Sequence, residues 1–301
     1  MRAAAILGPG NVARRVATFQ RAAGAQWTSL IEQADVVVIF GGDGTIHRHL
    51  STLVDLETPL LVVPCGSGND FARALGLRSV RDSVSAWRKY VSGGNNVRTI
   101  DLGIMKWCEP RPIRARPIEV GQIESATEVP VRRERHFCCV AGVGIDTEIA
   151  RRANALPKWI RSHGGYGFSA PSEFLRFAPL PMKICSSNGA AASFQPTILA
   201  AFANTPTYGG GMKIAPQAKL DDGKLDICIV RAMNKFKLFC MFPTVYFGGH
   251  LGFEEVEYDQ AATAKLETER PLDVYADGEY VCQTPVEIGV AGNALKVMVP
   301  E

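Results

Sequence analysis

Twice early in the chain an apolar run rich in β-branched side chains stops at a cluster of glycines and gives way to a helical pattern. Residues 36–50 read VVVIFGGDGTIHRHL, and residues 60–76 read LLVVPCGSGNDFARALG. Short, bounded apolar runs of this kind suit strands buried in a parallel sheet. The glycines give up packing and add backbone entropy cost, so the pattern asks what needs bare backbone there. A strand that ends in such a turn and leads into a helix leaves unshielded N–H groups beside a helix N-terminus, where polyphosphate fits. Two such turns at the carboxyl ends of neighbouring parallel strands converge on one crevice, the place where open α/β sheets bind ligands.

Neither turn has the G-x-G-x-x-G spacing of a dinucleotide fold or the G-x-x-x-x-G-K-[ST] spacing of a P-loop. Asp43 stands among Gly41, Gly42 and Gly44, with Thr45 opening the helix. A carboxylate beside phosphate is repelled unless a divalent cation lies between them or it orients a hydroxyl, so Asp43 points to metal-nucleotide handling. The plainer alternative is a tight turn whose Asp caps the next helix. In the second turn Gly66, Ser67 and Gly68 supply backbone donors and a hydroxyl, while Asn69 or Asp70 can cap the following helix and still face the cleft.

Around these turns, AAAIL (residues 3–7) reads as a strand, Asn11 as an N-cap, and Val12, Val16, Phe19 and Ala23 as one helical face. VRDSVSAWRKYVSGG (residues 80–94) reads as a further helix stopped by Gly93. Strands alternating with helices imply a doubly wound parallel sheet over residues 1–100. Beyond residue 100 the texture changes to short strands: RTIDLGI, HFCCVAG, MKICS, TILAAFA, LDICIV, TAKLETE, VEIGV and LKVMV. That spacing suggests a β-sandwich over residues 101–301, with helices near 146–177 and 235–247 and the last strand a candidate to return to the first domain. Residues 107–135, with four prolines, six arginines and five glutamates, read as a surface loop or hairpin.

With 301 residues and 47% hydrophobic content the chain can bury a sizeable core. Its 33 basic residues nearly balance 30 acidic ones, so the overall charge gives no argument for nucleic acid. None of the eight cysteines stands in C-x-x-C spacing, which points to reduced thiols. The apolar start breaks at Gly8-Pro9-Gly10, too early for a secretory signal, and the uncharged stretch 184–212 is interrupted by Asn, Gln, Pro and Gly. A cytoplasmic protein, peripheral at a membrane at most, is the class that remains.

The ordered set of motifs resembles the ATP-dependent lipid kinases that include bacterial diacylglycerol kinases and the sphingosine and ceramide kinases. The set is Gly41-Gly42-Asp43-Gly44-Thr45, then Pro64 to Arg73 (PCGSGNDFAR), then Gly142-Val143-Gly144-Ile145-Asp146, YGGGMKIAPQAKLDDGKLD (residues 208–226), Asp277-Gly278-Glu279 and the closing ALKVMVP. It covers nearly the whole chain; G-G-D-G alone also occurs in NAD kinases and phosphofructokinases, but the ordered set does not. The resemblance implies an α/β nucleotide domain followed by a β-sandwich, ATP and Mg2+ as cofactors, a lipid hydroxyl as acceptor, and a transient membrane surface as partner. Nucleic acid is not implied, and a homodimer is left open.

Candidate nucleotide contacts are Gly41, Gly42, Asp43, Gly44, Thr45, Gly66, Ser67, Asn69 and Asp70. The resemblance makes Asp277 the general base and has Asp146 and Glu279 orient the base or the acceptor. Read without it, Asp277-Gly278 is an ordinary hairpin turn, and Asp146 and Glu279 are a helix cap and a turn residue. By the same resemblance Asp222, with the carbonyls of Lys219 and Lys224, holds a structural Mg2+; a solvated turn is the alternative.

Three departures from the family pattern stand out: Leu7-Gly8-Pro9-Gly10-Asn11 replaces Asn-Pro-x-Ser-Gly, the segment before Gly41 is short, and His47 is followed by Arg48 rather than Glu. An NAD kinase and a catalytically weak nucleotide- or lipid-binding regulator are the competing readings. The acceptor is open among diacylglycerol, a sphingoid base, ceramide and a glycerolipid precursor. Arg111, Arg114, Arg116, Arg132, Arg133 and Arg135 are candidates to dock on anionic lipid.

Overall fold

In the computed structural model, which describes residues 1–9, 12–24, 26–109, 131–155, 176–189 and 193–300, the apolar runs become strands of one continuous sheet. The first region runs β1 (Arg2–Leu7), α1 (Ala13–Ala23), β2 (Gln26–Thr28), β3 (Val36–Gly41), α2 (Asp43–Leu56), β4 (Leu60–Pro64), α3 (Asp70–Ala74) and α4 (Val80–Val91). Its strands are parallel in the order β4-β3-β1-β2. Every residue of β3 and β4 is buried, as unbroken apolar runs require in a sheet covered on both faces. Phe19 of α1 packs edge-on against Phe40 of β3 and Trp87 of α4, fixing both helices over one face. Asn11 lies outside the described residues; α1 begins after Val12, which offers no side-chain cap. Helix α4, by contrast, opens on a full capping box between Ser79 and Asp82.

The remaining elements are β5 (Val97–Glu109), β6 (Val131–Phe137), β7 (Val140–Gly144), α5 (Ile145–Ala155), β8 (Leu180–Ser186), β9 (Gln195–Ala203), β10 (Leu225–Arg231), α6 (Lys235–Met241), β11 (Val256–Ala261), β12 (Thr263–Thr268), β13 (Asp273–Ala276), β14 (Glu279–Gln283) and β15 (Val286–Met298). They follow the order β14-β13-β7-β9-β8-β12-β15, with β10 and β11 branching from β9 and the β5–β6 hairpin from β15. A second apolar core, including Phe137, Phe202, Leu225, Leu266 and Ile288, fills this β-sandwich. Strand β15 lies antiparallel to β5 and, at Val297, parallel beside Leu60 of β4, so it belongs to both halves.

Several boundaries differ from the sequence reading. VEIGV and LKVMV form one strand, broken in register between Ala291 and Leu295, where Asn293 takes a left-handed φ of 52° and donates its N–H to Asp101. HFCCVAG is split, because the ladder stops at Phe137 and resumes at Val140. The arms of β5 and β6 pair as far as Glu109 opposite Val131, giving the hairpin reading of 107–135 an ordered base. Arg132, Arg133 and Arg135 lie on β6, whereas Arg111, Arg114 and Arg116 lie outside the described residues, as does most of the expected helix near 146–177 beyond Ala155.

The join between start and end depends on Asn96, which is fully buried and donates from Nδ2 to Ala86 O of α4 (2.9 Å) and to Val299 O beyond β15 (2.8 Å). Removing the amide strands two buried carbonyls, so Asn96→Ala is expected to cost about 2 kcal/mol. Urea unfolding measures this; an unchanged midpoint and slope would show that the clamp contributes nothing.

Candidate active site

Strands β3 and β4 end side by side, with Gly41 opposite Pro64, and both glycine turns leave from that edge. A Cβ at Gly42 would stand 2.8 Å from Gly66 Cα, and one at Gly66 would stand 2.6 Å from Gly42 Cα. Bare backbone is required because the two turns lie against each other. Gly42 caps α2 without any side-chain bond, and while Thr45 N–H (2.9 Å) and Ile46 N–H (3.2 Å) donate to Gly42 O, the N–H groups of Asp43 and Gly44 keep their hydrogen-bonding capacity at the turn.

Asp43 heads α2 but caps a different helix. Its Oδ2 accepts from Asp70 N and its Oδ1 from Phe71 N, both at 3.0 Å, so it closes the N-terminus of α3 across the crevice. Burial, joined by the Asp70 charge and opposed by those two amides, pushes its carboxyl up to about 6. Asn69 takes a left-handed φ of 54° and does not cap α3; its side-chain amide clips onto Gly66 N and Gly66 O, at 2.7 Å each. Asp70 is buried and accepts from Arg73, from Thr207 Oγ1 (3.0 Å) and from Gly210 N (2.7 Å), which ties the second turn to the glycine triplet of the β-rich half.

From the opposite side comes the turn between β13 and β14. Asp277 has φ 51° and Gly278 φ 83°, a hairpin geometry that aims the Asp277 side chain inward. Its Oδ1 accepts from Cys139 N (2.7 Å), and its Oδ2 accepts from Cys138 N (2.9 Å) and faces His47 Nδ1 at 2.9 Å. The carboxylate is an acceptor only, so Nδ1 of His47 carries the proton. Burial would raise the Asp277 carboxyl, yet the His47 hydrogen bond and charge and the two amides hold it below the ordinary carboxylate range. This is where the HFCCVAG strand breaks: the amides of Cys138 and Cys139 turn from the ladder to Asp277. Burial pushes the Cys139 thiol up to about 12, so it stays protonated.

Asp146, in the first turn of α5, has a buried Oδ1 with no partner among the described residues, and burial pushes its carboxyl up to about 7. Glu279 begins β14, with Oε1 3.2 Å from where a side chain on Gly44 would start. Both turns and Asp146, Asp277 and Glu279 line one cavity of about 610 Å³, which is also lined by the apolar side chains of Ile198, Leu199, Leu238, Met241 and Val245.

Of the residues proposed from sequence, Gly41 to Thr45, Gly66, Ser67, Asp70, Asp146, Asp277 and Glu279 come together on this cavity. Asn69 stands behind it as a loop clip. Lys219, Asp222 and Lys224 lie elsewhere, in an exposed loop where Asp222 Oδ1 accepts from Lys224 N (3.1 Å) and Asp101 Oδ2 accepts from Gly223 N (2.8 Å). The sequence reading missed the partners: His47 for Asp277, and Thr207 and Gly210 for Asp70. The signal for His47 was its place one turn after Asp43 on the same face of α2.

A family model described as the diacylglycerol kinase catalytic domain matches residues 6–105, and one described as the YegS C-terminal NAD kinase beta sandwich-like domain matches residues 139–299. A diacylglycerol kinase of Mycobacterium tuberculosis is 32% identical over 266 residues, 88% of this chain and 77% of that protein. The chain belongs to the diacylglycerol kinase family of lipid kinases. A diacylglycerol kinase of Bacillus subtilis is 26% identical to this family member over 90% of the chain and 80% of its own length. The crystal structure of a diacylglycerol kinase from Bacillus anthracis str. Sterne shares the fold, with TM-score 0.62 and 17% identity over 99% of this chain and 96% of that one. No helix among the described residues is long and apolar enough to cross a membrane.

In this family member the Asp146 carboxyl titrates in the folded state near 7, above its unfolded value. The folded chain therefore holds a proton that the unfolded chain has lost, and stability falls as pH rises from about 4 through about 7. Asp146→Asn removes the titration, so it is expected to raise Tm by a few degrees at about pH 8 relative to its effect at about pH 5. Equal shifts at both pH values would show that burial does not set this carboxyl.

Proposed function

We propose that the chain transfers the γ-phosphoryl of ATP to the hydroxyl of a lipid of diacylglycerol type. The observation that carries the reading is one cavity lined both by two glycine turns with the carboxyl groups of Asp146, Asp277 and Glu279 and by a set of apolar side chains. An aqueous nucleotide and a lipid alcohol meet naturally in such a space. The acceptor class rests on the names of the relatives, which are diacylglycerol and lipid kinases.

The residues present fit a magnesium-nucleotide better than a bare one. The open N–H groups at Gly42, Asp43 and Gly44, with Gly66 and Ser67, suit phosphate oxygens, while Asp43, Asp70, Asp146, Asp277 and Glu279 make the surroundings acidic. A divalent ion when bound would neutralise charge between phosphates and carboxylates. Asp43 helps by shaping the cradle, since both its oxygens are engaged by amides.

In the reaction the lipid oxygen forms a bond to the γ-phosphorus, the bond to the bridging oxygen breaks, ADP leaves, and the hydroxyl proton passes to a base. Asp277 Oδ1 holds a single hydrogen bond among the described residues and has a lone pair to spare. Its lowered proton affinity suits a loose transition state, in which the hydroxyl loses its proton late and positioning matters more than basicity. The unpartnered oxygen of Asp146 is suited to receiving the acceptor hydroxyl. His47 acts as a positioning residue behind Asp277.

With γ-labelled ATP and diacylglycerol in mixed micelles, Asp277→Asn is expected to lower kcat by about 10²- to 10⁴-fold with little change in KM for ATP. Near-normal turnover in the folded variant would remove Asp277 as the base, and no transfer to any lipid alcohol by the wild type would remove the function. His47→Ala is expected to move the acid limb of the pH–rate profile upward, because burial of Asp277 is then opposed only by the Cys138 and Cys139 amides; His47→Asn, which keeps a donor, restores part of the profile. An unmoved limb in His47→Ala would make His47 merely structural.

We also assign the Lys219–Lys224 loop to Mg2+, on the resemblance and on the exposed second oxygen of Asp222. Asp222→Ala is then expected to lower Tm in magnesium but not in chelator, since only an ion bound to the folded state adds stability. Equal losses in both buffers would leave Asp222 a turn residue.

A further inference from the structure

Large exposed apolar side chains are mostly scattered singly over the described surface, which needs no explanation. One segment departs from this. Phe236 (79% exposed), Phe239 (56%), Tyr246 (40%) and Phe247 (84%) crowd into α6 and the 3-10 turn Phe242–Phe247 that follows it. Phe236 and Phe239 share one outward helix face, three residues apart. The inward residues of the same segment, Leu238, Met241 and Val245, are among the apolar side chains that line the cavity.

The segment itself carries only basic charge. Between Asp226 and Glu254 the chain carries Arg231, Lys235 and Lys237 and no Asp or Glu. Arg231 and Lys237 reach outside the run for their partners, Glu257 and Glu255. Lys213, exposed, is joined to the segment by its N–H to Val245 O (3.0 Å) and has no carboxylate partner among the described residues. Exposed aromatics on a segment that has lysines and no acid of its own match the boundary of an anionic bilayer, where rings insert and ammonium groups meet headgroups.

We infer that α6 and the turn after it dock the protein on an anionic lipid bilayer, with Phe236, Phe239 and Phe247 inserting and Lys213 facing the headgroups. This rests on the lipid-kinase reading: an acceptor held in a bilayer reaches the cavity by a short path when the element that supplies Leu238, Met241 and Val245 to its lining is also the docking element. Of the β6 arginines, Arg133 is already paired with Glu109.

The test uses the full chain and phosphatidylcholine vesicles containing phosphatidylglycerol, by co-sedimentation. The wild type is expected to bind, and F236S/F239S/F247S to bind about tenfold or more weakly. None of the three side chains lines the cavity, so kcat on a dissolved short-chain diacylglycerol is expected to stay unchanged while KM for the vesicle-held lipid rises. Wild type that fails to bind, a triple variant that binds as tightly as wild type, or binding that is lost instead in R132S/R133S/R135S would each overturn the proposal. So would a lipid-free change of molecular mass in the triple variant, which would make the patch a contact between copies. If the triple variant folds poorly, F247W replaces it: its emission is expected to shift to shorter wavelength on vesicles, and no shift overturns the docking. Vesicle binding without phosphoryl transfer to the short-chain lipid would overturn the kinase reading and leave the docking surface standing.

Discussion

The Asp43 carboxylate, bonded to the first two amides of α3, is the contact on which the rest of the site depends. It turns two separate glycine turns into one unit. A carboxylate at a helix N-terminus satisfies two orphan donors and meets the positive end of the helix dipole. Gly42 and Gly66 then approach to a distance no side chain would allow, and the amides at the head of α2 keep their bonding capacity for another group. The acid in the glycine run thus shapes backbone, and the backbone is the feature suited to phosphate.

Two further carboxylates extend this unit into the β-rich half, in opposite directions. Asp70 leaves the second turn to hold Thr207 and Gly210, while Asp277 reaches back to His47 on α2. Each crossing carboxylate carries enough partners to stay buried. Asp146 does not: its unpartnered oxygen and raised pKa mark a group kept at a cost in stability, the pattern of a site that awaits a ligand. The two buried acids are thereby held apart in proton affinity, Asp277 low and Asp146 high.

What the sequence made legible was whatever is written locally. β3 and β4 could be read because an apolar run bounded by glycine is itself the signal, and the turns could be paired because both follow such runs. Partners distant in sequence could not be read: Asp43 looks like a cap for its own helix but serves one that begins 27 residues later, and His47 meets Asp277 across 230 residues. Cys138 and Cys139 look like apolar strand residues, yet their amides leave the ladder for Asp277. Strand β15 was read as two because its middle, around Asn293, is polar, and the break serves Asp101 rather than ending the strand. The aromatic segment near 235–247 reads from sequence as a helix without its exposed face, since periodicity gives a face but not what covers it.

The central claim is that both turns form a single cradle set up before any ligand arrives. Amide hydrogen exchange resolved by residue, with and without magnesium-ATP, tests it most directly. The expected result is protection appearing together at residues 42–45 and 66–71 at one nucleotide concentration, with the Asp70 and Phe71 amides already slow in the free protein because Asp43 holds them. Protection confined to one turn, or fast exchange at Asp70 and Phe71 before nucleotide is added, would contradict it.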